Sequence, residues 1–200
     1  MRAIAQAREY YKILAQLYPG YGRGFEMQGV CYLLLKRDDL AIKKFQEAIK
    51  HNPDLFWVSF ELGKAFYRKG DYAQALIYFR SIISRENQVL LKEGVLSNPR
   101  QFSDKTRELL IVQLVDFISE IKLRSLQMAM GCCIRQGDLK QAKSIADQGE
   151  GNFFTFARRS LDQDSSRKEM LSWIDSLALS KPVFHPWGYV IQPMKEILYH

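Results

Sequence analysis

The sequence predicts an all-α protein, a solenoid of antiparallel helix pairs. Three observations lead there: a 34-residue internal period, helical spacing of the apolar positions within it, and glycine and proline at regular stations between helices. A shift of 34 residues places Ala7 on Ala41 on Ala75, Tyr11 on Phe45 on Phe79, and Pro19 on Pro53. In the same register Gly29 falls on Gly63, Tyr32 on Phe66 and Ala48 on Ile82. Small, aromatic and apolar positions thus recur in one order, as they must if each unit buries the same face against its neighbour.

The elements follow in turn. Met1 to Tyr18 reads as a helix; Arg2, Arg8, Glu9 and Lys12 interrupt it, so it lacks the apolar block of a secretory signal. Tyr21-Gly-Arg-Gly24 reads as an inter-repeat turn, since it lacks the closing Gly-Lys-Ser/Thr of a phosphate-binding loop and no strand precedes it. In the unit Gly22 to Leu55, Ala41, Phe45, Ala48 and Ile49 form one apolar face while Lys43, Lys44 and Lys50 face water. Pro53 stops that helix and Asp54 can cap the next. In the unit Phe56 to Val89, Gly70 ends one helix and Asp71 can accept from the free amides of the helix beginning at Tyr72. Gly29 and Gly63 remove a side chain where paired helices approach most closely, and Tyr32, Phe45, Phe66 and Phe79 fill the space beside them.

Beyond Val89 the period fades. Gly94, Asn98 and Pro99 punctuate a loop, and Asp104 to Gln136, free of proline, suits one long helix or two abutting ones. From Leu123 to Phe156 a degenerate unit returns, with Arg135-Gln-Gly-Asp138-Leu139 echoing Arg68-Lys-Gly-Asp71-Tyr72 and Ala142 at the alanine position. Phe153, Phe154, Phe156 and Leu161 mark a short helix, and Met170, Leu171, Trp173, Ile174 and Leu177 a further one that can cover the open end of the array. The tail from Lys181, with Pro182, Pro186, Gly188 and Pro193 among Phe184, Trp187 and Tyr189, reads as an extended aromatic segment. It could pack on the helices, bind a partner or link to another part.

These stations resemble the tetratricopeptide repeat family: Gly29, Tyr32, Ala41, Phe45, Ala48 and Pro53 in one unit, and Leu62, Gly63, Phe66, Gly70, Asp71, Tyr72, Ala75 and Phe79 in the next. Asn87 stands where the family has proline, and Lys36 where Gly70 marks the turn of the following unit. Ala7, Tyr11, Leu14 and Pro19 match only a second helix, so the chain opens inside a repeat. The resemblance implies a right-handed superhelix divided into repeats over 1–89 (a half repeat and two full ones), a diverged repeat or insertion over 90–122, a degenerate repeat with capping helices over 123–180, and the tail 181–200.

It also implies that first helices line a concave groove. The residues at groove positions are Arg23, Glu26, Met27, Val30 and Leu33, then Trp57, Phe60, Glu61, Lys64, Tyr67 and Arg68, with Arg124, Gln127 and Met128 from the degenerate repeat. Trp57, Phe60 and Tyr67 flanked by Lys64 and Arg68 would anchor an apolar, acidic peptide or helix of a partner protein. Family members that grip the acidic C-terminus of chaperones use lysines and asparagines at set positions; Glu26, Val30 and Glu61 occupy three of them, which argues against that partner.

Composition agrees with a non-enzymatic adaptor or assembly scaffold. The 200 residues, 47% hydrophobic and 26% charged, are enough for a buried core, and no apolar run approaches the roughly 20 residues of a membrane span. His51, His185 and His200 are too scattered for a metal site, and no motif positions a nucleophile beside a base, so no catalytic residue, metal or cofactor is expected. Cys31, Cys132 and Cys133 read as buried free thiols of a reducing compartment, hence the cytoplasm. The net charge of +7 is skewed, with 16 Lys and Arg against 10 Asp and Glu in residues 1–100. This leaves a less favoured alternative: nucleic-acid binding through Lys43, Lys44, Lys50 and Arg80. The opening half repeat and the tail suggest a second alternative, an accessory module of a larger enzyme or regulator, and uncovered solenoid ends leave self-association open.

Overall fold

The computed structural model describes residues 2–18, 20, 22–53, 55–90 and 104–182, with side chains from residue 3 onward and, in the long central helix, from residue 111. Pro19, Tyr21, Asp54, the loop residues Gly94, Asn98 and Pro99, His185, His200 and the aromatic tail from 183 therefore lie outside the described residues. The order is α1 (Arg2–Leu17), α2 (Arg23–Leu34), α3 (Asp38–His51), α4 (Phe56–Arg68), α5 (Tyr72–Ile83), α6 (Asp104–Gln136), α7 (Leu139–Gln148), α8 (Asn152–Ser160) and α9 (Asp164–Ala178), with no strand among the described residues. Each of α1 to α5 packs on the next, α5 packs on α6, and α6 on α7, which is the stacking of an all-α helical solenoid.

The period is visible in the packing. Ala41, Phe45 and Ala48 of α3 and Ala75, Phe79 and Ile82 of α5 are fully buried or nearly so. A Cβ added at Gly29 would stand 2.5 Å from the Phe45 ring, and one at Gly63 would stand 2.5 Å from the Phe79 ring, so both glycines are needed for the approach of the paired helices. Asp71 accepts from the Gln74 amide at 3.1 Å and Asp138 from the Gln141 amide at 2.9 Å, so α5 and α7 begin with the same kind of cap.

Four expectations need correction or completion. Residues 104–136 form one helix, α6, which passes unbroken from the diverged segment into the degenerate repeat. Arg23 and Gly24, read as part of a turn, are the first residues of α2; the turn is closed by Gly22 at φ 69°, and Gly24 lies against the backbone of Ala15. Lys44 is half-buried rather than free in water: it pairs with Glu47 at 2.6 Å and its ammonium lies 5.5 Å from the Phe25 ring centroid. Finally, α9, expected to cover the open end of the array, packs on α8, on α6 and also back on α4.

Candidate functional site

α2 and α4 present their expected groove residues to each other. At the α2 end, Arg23 donates through Nη1 to both carboxylate oxygens of Glu26, at 2.7 and 2.8 Å, and Trp57 Nε1 on α4 donates to Glu26 Oε1 at 3.1 Å. Glu26 is 1% exposed and Arg23 8%, so the carboxylate is held by charged and neutral donors in a site with little water, where such bonds are strongest. Val30 is buried beside them, and Met27 and Leu33 are half-buried.

Two turns further along α4, the side chains meet α9 and the turn after it. Lys64 Nζ lies 3.3 Å from Glu61 Oε1 and 5.6 Å from the Phe60 ring centroid. It donates to the Ser180 carbonyl at 3.1 Å, to Ser180 Oγ at 3.1 Å and to the Lys181 carbonyl at 3.4 Å. Tyr67 donates its hydroxyl to Asp175 Oδ1 at 2.8 Å, and Arg135 of α6 reaches Asp175 Oδ2 at 2.7 Å. Arg68 Nε sits 3.1 and 3.2 Å from the two oxygens of Asp38 at the start of α3, while its Nη1 donates to the Ala178 carbonyl at 2.7 Å. α9 is thus seated on α4 by its last turn.

Burial sets the electrostatics. Lys64 has no exposed surface, and burial holds its ammonium below the usual lysine range; Glu61 opposes that shift, while the cations Arg68 and Arg124 add to it. Burial pushes the Tyr67 phenol up, and the carboxylate of Asp175 pushes the same way. Arg124 itself pairs with Glu120. Gln127 is half-buried and Met128 fully buried on α6.

Of the expected groove residues, Arg23, Glu26 and Trp57 are joined by hydrogen bonds, as are Glu61 and Lys64 one to two turns further along α4. Trp57, Phe60, Glu61, Lys64 and Tyr67, expected on an open groove, are each 5% exposed or less. Phe60 packs on Phe79 of the paired helix at 5.8 Å between centroids, and the polar groups of α4 are engaged by α9. Sequence reasoning missed Arg135, Asp175 and Ser180. They lie 40 or more residues from their partners in contacts no repeat period encodes, and a carboxylate one turn before the end of an amphipathic helix carries no distinctive signal. Cys31, Cys132 and Cys133 are buried free thiols. Among the described residues no cluster of His, Cys, Asp and Glu could hold a metal ion, and no helix is long and apolar enough to cross a membrane.

A family model described as TPR repeat matches residues 32–70, and a second, described as tetratricopeptide repeat, matches residues 58–86. No curated protein is similar enough to the chain to count as a match. The matched span runs from the end of α2 through α5 and includes Gly63 against Phe79 and the Gly70–Asp71 turn. Residues 32–86 are thus similar to tetratricopeptide repeats, which are in general protein–protein interaction modules.

Proposed function

We propose that the protein is a non-enzymatic adaptor or assembly scaffold that binds a peptide or helix of a partner protein on the face shared by α2, α4 and α6. The observation that carries this reading is the row of charged and aromatic groups along one face, from Arg23, Glu26 and Trp57 to Lys64, Tyr67 and Arg68. A solenoid stabilised only by its repeats needs apolar contacts there, since burying a cation such as Lys64 costs free energy unless its hydrogen bonds are met. The polar groups of this face have their hydrogen bonds met by α9 and the turn after it, which supports a face suited to the acceptors of a helix. The groups offered suit a partner that is apolar with acidic or carbonyl acceptors, since Lys64, Tyr67 and Arg68 are all donors.

The test is affinity capture from host lysate, with bound proteins identified by mass, comparing the intact chain with Trp57→Ala, Lys64→Glu and with Met27→Glu, Arg124→Glu. The second pair lies at half-buried positions and is the gentler change to the fold. A partner retained by the intact chain and lost from both variants, with helicity unchanged by circular dichroism, is the expected outcome. Retention by both variants would remove the groove assignment.

A further inference from the structure

The end of α9 occupies the face just described, and the manner of its seating is that of a ligand. The last carbonyls of a helix have no partner within the helix and carry the negative end of its dipole. Here the last of them, Ala178 O, is received by Arg68 at 2.7 Å, and just past the helix Ser180 O and Lys181 O are received by Lys64 at 3.1 and 3.4 Å. One turn earlier, the Asp175 carboxylate is received by Tyr67 and Arg135 at 2.8 and 2.7 Å. Four donors on α4 and α6 thus read one pattern, a carboxylate followed after a turn by a free helix end. The apolar part of the contact is narrow. Met170, Ile174 and Ala178 form the buried stripe, with Ile174 over Gly131, while Trp173 on the same helix is 61% exposed and Leu179 just past its end is 76% exposed. α9 joins α8 through residues 161–163, and the pairs α2–α3 and α4–α5 pack on each other through contacts that do not involve it.

We propose that α9 and the turn after it are an internal ligand of the groove, held by Lys64, Tyr67, Arg68 and Arg135, which a partner helix with an acidic residue one turn before its end displaces. This rests on the groove reading above and adds to it the chemistry of the partner and a closed resting state. A helix offering the same acceptors fits because the donors are already placed for them, and it gains access when α9 lifts away.

The test uses the full chain and, as probe, a fluorescent peptide of residues 164–182, acetylated and amidated so that no terminal charge contributes. In the intact chain α9 competes with the probe. Asp175→Ala weakens α9 in place, so the probe should bind this variant at least tenfold more tightly than the intact chain, and adding Lys64→Met and Arg68→Met should abolish the gain. Equal or absent binding to the intact chain and to Asp175→Ala overturns the proposal. If Asp175→Ala does not fold, hydrogen exchange of the intact chain decides. Amides of α9 exchanging at least tenfold faster than those of α4 support a displaceable helix, and equal rates make it a fixed part of the core. Neither readout involves an outside partner, so failure here is separable from failure of the lysate capture.

Discussion

Lys36 adopts φ 58°, where Gly70 and Gly137, at the corresponding turns, both sit at φ 79°. A side chain in the left-handed region costs about 1–2 kcal/mol, and glycine gives back part of that through its freer unfolded chain. Lys36→Gly is therefore expected to raise stability by about 0.5–1 kcal/mol, read as a higher urea midpoint at unchanged slope; an unchanged or lower midpoint would mean that the Lys36 side chain holds the turn. The thiols give a second expectation. Burial pushes Cys133 up to about 11, Cys132 is raised further by the same cause, and Cys133 donates to Gln141 Oε1 at 2.9 Å. An unfolded thiol ionises near about 8.5, so between there and about 11 the unfolded state loses protons that the folded state keeps. Stability should accordingly be unaffected by these groups at neutral pH and fall as pH rises through that window. At pH 8 iodoacetamide should label Cys132 and Cys133 only as fast as the protein opens, whereas labelling at the rate of a free peptide thiol would contradict their burial.

At the scale of the element, the helix pair is the unit and its glycine is the most constrained position. Gly63→Ala gains about 1 kcal/mol of intrinsic helix propensity yet sets a Cβ 2.5 Å from the Phe79 ring; overpacking of that kind costs about 1–3 kcal/mol, so a net loss is expected, with Gly63→Leu worse. A urea midpoint that rises for Gly63→Ala would show that the pair can open to admit it. The caps of α5 and α7 are equivalent, and Asp71→Ala and Asp138→Ala should each cost about 1 kcal/mol. This is also the scale at which the sequence was most legible. Glycine, aromatic and alanine stations are local and repeat, so the pairing of α2 with α3 and of α4 with α5 could be read from spacing alone. The unbroken α6 could not, because its apolar positions suit one helix or two and only the packing of α5 and α7 on it decides.

At the scale of the molecule, α9 turns an open array into one that closes on itself, since Lys64, Tyr67 and Arg68 bond to residues 108 to 117 positions away. The contacts of α9 with α4 were not legible in the sequence, because a fold-back of that span depends on where α8 aims α9. The net charge of +7 is likewise a whole-molecule property, and the structure says how it is deployed. Lys44 pairs with Glu47, Lys69 with Asp39, Lys143 with Asp162, and Arg167 and Lys168 with Asp164, so many surface cations sit beside a carboxylate. Such pairs break up the continuous basic stripe that tracks a phosphate backbone. Association with duplex DNA is therefore expected to be only the non-specific kind, with Kd about 10⁻⁴–10⁻⁶ M at physiological salt and a steep fall as salt rises. Fluorescence anisotropy of a labelled duplex across a salt series measures this directly. Tight binding that persists at high salt and prefers one sequence would move the function from the groove to the basic outer face of Lys43, Lys50 and Arg80.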